Sequence, residues 1–198
     1  MPSSNSDINT LLGCRLCSLC AAGGRTQVIP SKFNIGAKIA FISDAPEKED
    51  DDAGEPFQAR WALSIFDPML TYLELTREEV FMGYAVKCRP PEGSKVTREI
   101  SETCRMTWLW KELPCTQVRI IVLFGLDLAK SFHKALTYEE PFWTDMWIRH
   151  PGMVLLFPMI HPRQFLLRPD ANRELFKDQI KNLKRSIDNI LRNHEVPF

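Results

Sequence analysis

Apolar and polar positions change period repeatedly along this chain, and the changes divide it into strands and helices. Lys38 to Ile42 is a nearly continuous apolar run, suited to a strand buried on both faces. Ala62 to Leu75 places Leu63, Phe66, Leu70 and Leu73 at helical spacing. Val80 to Val86 returns to a strand, which Lys87-Cys88-Arg89-Pro90-Pro91 ends because proline cannot donate to a ladder. Thr97 to Leu113 predicts a helix, with Thr97 and Glu99 near its N-terminus, where a hydroxyl and a carboxylate are favoured. Val118 to Phe124 is the strongest strand, followed by Gly125 and a helix from Leu126 to Ala135. Met153 to Phe157 predicts another strand, and Asn172 to Arg192 closes the chain as an amphipathic helix.

Strands that alternate with helices predict an α/β fold, a three-layer α/β/α sandwich around a central, mainly parallel four-stranded sheet. With 198 residues and 44% hydrophobic positions, the chain suffices for one well-buried domain. No repeat or low-complexity linker divides it, so residues 1–198 are expected to form a single domain. Lysine plus arginine (25) balances aspartate plus glutamate (25), which excludes a global basic field but not a local phosphate-binding patch. There is no apolar run of about 18 residues. Nor does the N-terminus show a charged region followed by an apolar one. A soluble, cytoplasmic protein with no membrane partner is expected.

The six cysteines change that plain picture. Cys14, Cys17 and Cys20 fall within seven residues, whereas Cys88 and Cys104 lie far downstream. Two near and two far is the layout of a four-thiolate centre, zinc or iron–sulfur; spacing chooses neither the metal nor between Cys17 and Cys20. For any one cysteine, the competing role is a small buried hydrophobe.

In a parallel sheet, ligands bind beyond the carboxyl ends of the strands. That rule gathers Asp44 to Phe57, Cys88 to Pro91, Gly125 and His161-Pro162 at one crevice. Simpler roles compete there: Asp44 as a helix cap, Phe57 as plain core and His161 as a satisfied rim histidine. The acidic run Glu49 to Asp52 is expected to be a solvated loop, with metal binding the minor alternative.

In this order the pieces resemble the uracil-DNA glycosylase superfamily, specifically its family-four iron–sulfur branch. That branch carries C-x-x-C near the N-terminus, G-E-A-P-G-x-x-E-D-x-x-G-x-P-F after the first core strand, an asparagine before K-C-R-P-P, then E-x-x-x-C, L-G and H-P. The matching pieces are Cys14-Arg-Leu-Cys17, Ser43-Asp44-Ala45-Pro46-Glu47 through Gly54-Glu55-Pro56-Phe57, Lys87-Cys88-Arg89-Pro90-Pro91, the Glu99 to Cys104 stretch, Leu123-Phe124-Gly125 and His161-Pro162. The resemblance implies a 4Fe-4S cluster on Cys14, Cys17, Cys88 and Cys104, with Cys20 and Cys115 as bystanders. It implies a monomeric enzyme that flips a DNA base into a pocket and hydrolyses its glycosidic bond. Phe57 would then stack on the base, and His161 would donate to a pyrimidine carbonyl oxygen. Asp44, one methylene shorter than the branch's glutamate, would orient or activate water. Arg163 and Arg89 would lie beside the DNA.

Three departures point to a changed pocket. The branch's uracil-reading asparagine falls on Tyr84, and a phenol cannot reproduce an amide's paired donor and acceptor. Glu47 stands where the branch has glycine, facing the pyrimidine's fifth carbon, and Ser43 replaces the motif's first glycine. A carboxylate there is costly beside a hydrogen or methyl but can accept from hydroxyl groups. The expected substrate is therefore a 5-substituted cytosine, such as glucosylated hydroxymethylcytosine, in a setting similar to that of phage-restricting bacterial glycosylases. The alternatives are an ordinary uracil-DNA glycosylase of base-excision repair and a catalytically silent, cluster-bearing DNA-binding module.

Overall fold

Four buried strands run parallel through the centre of the protein, as the alternation predicts, and a fifth is added at one edge. The computed structural model describes residues 11–20, 28–94, 96–139, 141–145 and 153–192. In chain order the main elements are β1 (Ile39–Ser43), α1 (Lys48–Ala53), α2 (Asp67–Tyr72), β2 (Phe81–Tyr84), α3 (Arg98–Cys104), β3 (Ile120–Phe124), α4 (Leu126–Phe132), β4 (Phe142–Asp145), β5 (Met153–Met159), α5 (Pro162–Leu167) and α6 (Pro169–Ile187). A π-helical segment, Ala62–Phe66, leads into α2, and another, Arg105–Leu109, continues α3 towards Trp110–Glu112. Thr97 caps α3 as its position suggests, its Oγ1 accepting from Ile100 N–H at 3.3 Å.

The sheet order is β2-β1-β3-β5-β4. Strands β2, β1, β3 and β5 are parallel, and β4 pairs antiparallel with β5. Sequence patterning misses β4 because four residues just after Pro141 show too little alternation to register as a strand.

Each inner strand is buried on both faces, and its residues divide by period two. Ile39, Phe41, Ile120, Val122, Phe124, Leu155, Phe157 and Met159 enter one core with α2 and α6. Ala40, Ile42, Ile121, Leu123, Val154 and Leu156 enter the other, with Leu109, Leu113 and Leu128. The three layers follow from that division. A third, smaller cluster holds Leu11, Leu19, Val28, Val86, Cys88, Cys104 and Trp108, with Cys14 and Cys17 packed against it.

Ahead of β1 the chain lies against β2. Lys32 and Met82 exchange backbone hydrogen bonds at 2.9 Å, and Ile29 N–H donates to Lys87 C=O at 2.7 Å. Beneath this contact Lys87 is buried, with its ammonium on Glu112 Oε2 and Ser31 Oγ, both at 2.6 Å. Such a pair is costly to break from one side, by about 3–5 kcal/mol, because the remaining charge is stranded. The close approach needs a glycine at position 83, where a Cβ would strike Ser31 Oγ and lie 2.9 Å from a Phe81 ring carbon. Gly83→Ala is expected to lower stability by about 1–3 kcal/mol in urea unfolding, the usual cost of overpacking. An unchanged midpoint would show that the segment ahead of β1 yields freely.

Candidate active site

The loop after β1 is folded around one carboxylate. Asp50 is fully buried in α1, and its Oδ2 accepts from Glu47 N–H at 2.7 Å. Its Oδ1 accepts from Gln58 N–H at 2.6 Å and Ala59 N–H at 3.2 Å. The Glu47 side chain accepts in return from the Asp50 backbone, completing a capping box. Hydrogen bonds to a charged group contribute about 1.5–3 kcal/mol each, so Asp50 closes this loop strongly. The acidic run is thus not the solvated loop expected: it forms α1, with Asp50 and Asp51 turned inward. Asp51 meets Arg89 Nε at 3.1 Å, which ties the Cys88 to Pro91 loop to α1. Arg89 faces Asp51 rather than standing as an open DNA contact, and its side chain is 24% exposed.

Phe57 follows in a left-handed conformation, φ 62°, which costs a non-glycine residue about 1–3 kcal/mol. Its surroundings enforce that geometry. Phe57 N–H donates to Tyr84 Oη at 3.1 Å, and Arg77 Nη2 donates to Phe57 C=O at 2.8 Å while Arg77 Nε holds Asp67 at 2.7 Å. The ring is edge-on to Trp61 and Phe66, both at 5.0 Å, and to Tyr84 at 5.5 Å. Expected as an open stacking face, Phe57 has no exposed surface. Tyr84 is buried as well, and its pKa is raised well above the usual value by burial and by the nearby Asp50 carboxylate.

The polar wall of the crevice comes from the ends of β1, β3 and β5. His161 caps α5, its Nδ1 accepting from Arg163 N–H at 3.0 Å. Burial, and then the Arg163 charge, push its pKa down to about 3, so the ring is neutral with its proton on Nε2. That nitrogen lies 2.8 Å from Ser43 Oγ. Asp44 keeps solvent access, but the crevice walls crowd it and raise its carboxyl pKa through desolvation. Asp127, in the first turn of α4, adds a like charge that raises it further, while Arg163 opposes. Glu47 stands at the rim with Arg163 Nη1 3.4 Å away; burial raises its pKa and Arg163 lowers it. Trp61 packs edge-on to His161 at 4.9 Å, and its indole N–H, which makes no hydrogen bond of ordinary geometry among the described residues, lies beside Glu47 and favours that residue's charged form.

Four of the cysteines meet elsewhere, at the carboxyl side of β2. Cys14, Cys17, Cys88 and Cys104 share the third apolar cluster. Cys14 Sγ accepts from Trp108 Nε1–H and Cys104 Sγ from Lys87 N–H, each at 3.3 Å. Burial pushes the Cys104 thiol up to about 11, and Cys14 and Cys17 beside it act in the same direction. Cys115 is apart from them, with its Sγ on Lys111 C=O at 3.0 Å; the Cys20 side chain lies outside the described residues. Among the described residues, no three His, Cys, Asp or Glu side chains are drawn together in a way that could hold a single metal ion.

Three contributors escape the sequence reading. Asp50 is hidden within a run that looks uniformly solvated, and Trp61 within an apolar stretch that looks like core. Asp127 carries one available signal: it follows the glycine at the end of β3, where a helix N-terminus favours a carboxylate.

Among solved structures the fold is similar to the crystal structure of wild-type Pedobacter heparinus SMUG2, with a TM-score of 0.54 at 9% identity, covering 81% of this chain and 77% of that one. Among curated proteins, a Type-4 uracil-DNA glycosylase of Archaeoglobus fulgidus is 27% identical over 187 residues, 90% of each chain. One of Pyrobaculum aerophilum is 30% identical over 160 residues, 78% of this chain and 81% of the relative. The family model described as uracil DNA glycosylase superfamily matches residues 30–184, taking in the whole crevice from Ser43 to Arg163. The chain therefore belongs to the uracil DNA glycosylase superfamily and is a DNA glycosylase.

Proposed function

We propose that this DNA glycosylase excises a pyrimidine bearing a hydroxylated substituent at its fifth carbon, with glucosylated hydroxymethylcytosine in phage DNA as the favoured substrate. The observation that carries this is the state of Tyr84. Its hydroxyl is committed to Phe57 N–H and lies against Asp50, so it has no donor–acceptor pair to offer a uracil edge. Instead, the polar capacity of the wall lies on the other side, where the Glu47 carboxylate supplies an acceptor beside the Trp61 indole N–H. Hydroxyl groups on a large substituent match that combination.

The residues then divide the reaction. The flipped base enters between the β1 and β5 rims, and Phe57 with its aromatic neighbours backs the pocket. Asp44, solvent-accessible at the end of β1, takes the proton of the attacking water as the glycosidic bond breaks. Negative charge on the leaving base is met by donors from the His161 side, where the imidazole is neutral and protonated on Nε2. Arg163, exposed at the start of α5, is placed to meet DNA phosphate while partnering Glu47. The relatives' names favour a second substrate, uracil in DNA, and the same experiment decides between them.

We also infer that Cys14, Cys17, Cys88 and Cys104 hold a 4Fe-4S cluster. The donor set fits: four cysteines share one apolar pocket, and two N–H groups already point at sulfur atoms, as buried thiolates require. Held by these residues, a cluster would join the N-terminal segment (Cys14, Cys17) to the loop after β2 (Cys88) and to α3 (Cys104).

Base release from uracil-containing DNA and from glucosylated hydroxymethylcytosine DNA, read by mass spectrometry, tests the substrate. Release of the modified base alone is expected, and Asp44→Ala should slow it by about 10²–10⁴-fold. Release of uracil alone would overturn the pocket assignment. Asp44 acts only when ionised, and its pKa is raised, so the rate should fall with decreasing pH through a midpoint above the ordinary 3.8. His161, near 3, adds no second limb in the neutral range. Anaerobically purified protein should be brown and contain iron, and Cys88→Ser should lose both; colourless protein carrying zinc would contradict the cluster.

A further inference from the structure

We propose that Ser43 is a catalytic residue: its hydroxyl accepts from His161 Nε2–H and hands its own proton, as a hydrogen bond, to the carbonyl oxygen of the departing base. This rests on the DNA glycosylase reading given above and specifies which atom touches the substrate.

Hydrogen-bond directions decide the matter. His161 Nδ1 is occupied by Arg163 N–H, so the neutral ring must carry its proton on Nε2 and can only donate to Ser43 Oγ at 2.8 Å. Ser43 therefore acts as acceptor in that bond, and its hydroxyl proton needs another destination. Among the described residues nothing accepts it, although Ser43 is only 2% exposed. A buried donor without an acceptor is costly, which points to a ligand oxygen as its missing partner. The location agrees. Ser43 is the last residue of β1, next to Asp44, with its C=O fixed by Ala85 N–H at 2.8 Å and its backbone paired beside Tyr84. Only the side-chain torsion is left to aim the proton.

A relay of this kind has a physical advantage. Donation from His161 polarises the Ser43 hydroxyl and strengthens it as a donor as charge grows on the base oxygen. Along the chain from His161 through Ser43 to the base, no proton has to change owner in the bond-breaking step; the only transfer is that from water to Asp44. The imidazole remains neutral, and the serine presents a smaller group than a ring would to a bulky substrate.

The test is single-turnover base release by wild type, Ser43→Ala, His161→Ala and the double variant, on the substrate that the wild type prefers, with the His161 Nε2 proton followed by NMR. Ser43→Ala is expected to lower the single-turnover rate by about 10²-fold with little change in DNA affinity, the usual cost of losing one oxyanion donor. The double variant should be no slower than the slower single variant, because the two residues act as one chain. The His161 Nε2 proton should move upfield in Ser43→Ala as its hydrogen bond is lost. A Ser43→Ala protein at or above the wild-type rate, beside a slow His161→Ala, would overturn the relay and leave the glycosylase reading standing. Fully additive losses would overturn it too. A wild-type rate in His161→Ala would instead remove the role assigned to His161 itself.

Discussion

The geometry of the crevice depends on the burial of one carboxylate, Asp50, at the point where α1 would otherwise be a charged surface turn. Its two oxygens bind the backbone N–H groups of Glu47, Gln58 and Ala59, fixing both ends of the segment that runs from Glu47 to Ala59. A buried charge survives only when it is fully bonded, so the chain has few other ways to arrange this segment. The strained Phe57, the Tyr84 hydroxyl beneath it and the placement of Glu47 at the rim all follow from that closure.

The same closure links the crevice to the cysteine cluster. Asp51, next to Asp50, pairs with Arg89, and Arg89 adjoins Cys88. Lys87, on the other side of Cys88, gives its N–H to Cys104 and its ammonium to Glu112 and Ser31. The loop after β2 is thus held at three successive residues, by the crevice wall, the sulfur pocket and the buried ion pair in turn. Loss of order at the cysteines would be felt at Asp51, and through α1 at the base pocket.

Much of this was legible in the sequence, for identifiable reasons. Strands buried on both faces leave unbroken apolar runs, so Lys38 to Ile42 and Val118 to Phe124 could be read directly, and the parallel sheet then placed Asp44 and His161 at one rim. The three departures Ser43, Glu47 and Tyr84 were visible against the family motif. What each does was not. Tyr84 looks like a pocket residue but turns into the core, because Phe57 N–H and Asp50 offer its hydroxyl better partners than the crevice does. Composition cannot show that one aspartate in a run of acids is buried, or that the Trp61 N–H lies beside Glu47. Those facts arise from long-range packing and have no local period.

Central to this account is the claim that Tyr84 closes the pocket to uracil while Glu47 and Trp61 open it to a substituent. The most direct measurement is the ratio of uracil release to modified-base release by Tyr84→Asn protein, compared with the same ratio for the wild type. Because both rates come from one preparation, any loss of stability cancels. A rise of at least about 10-fold in favour of uracil is predicted, since an amide regains the paired contacts that a phenol lacks. An unchanged ratio would contradict the claim and move the source of specificity away from the end of β2.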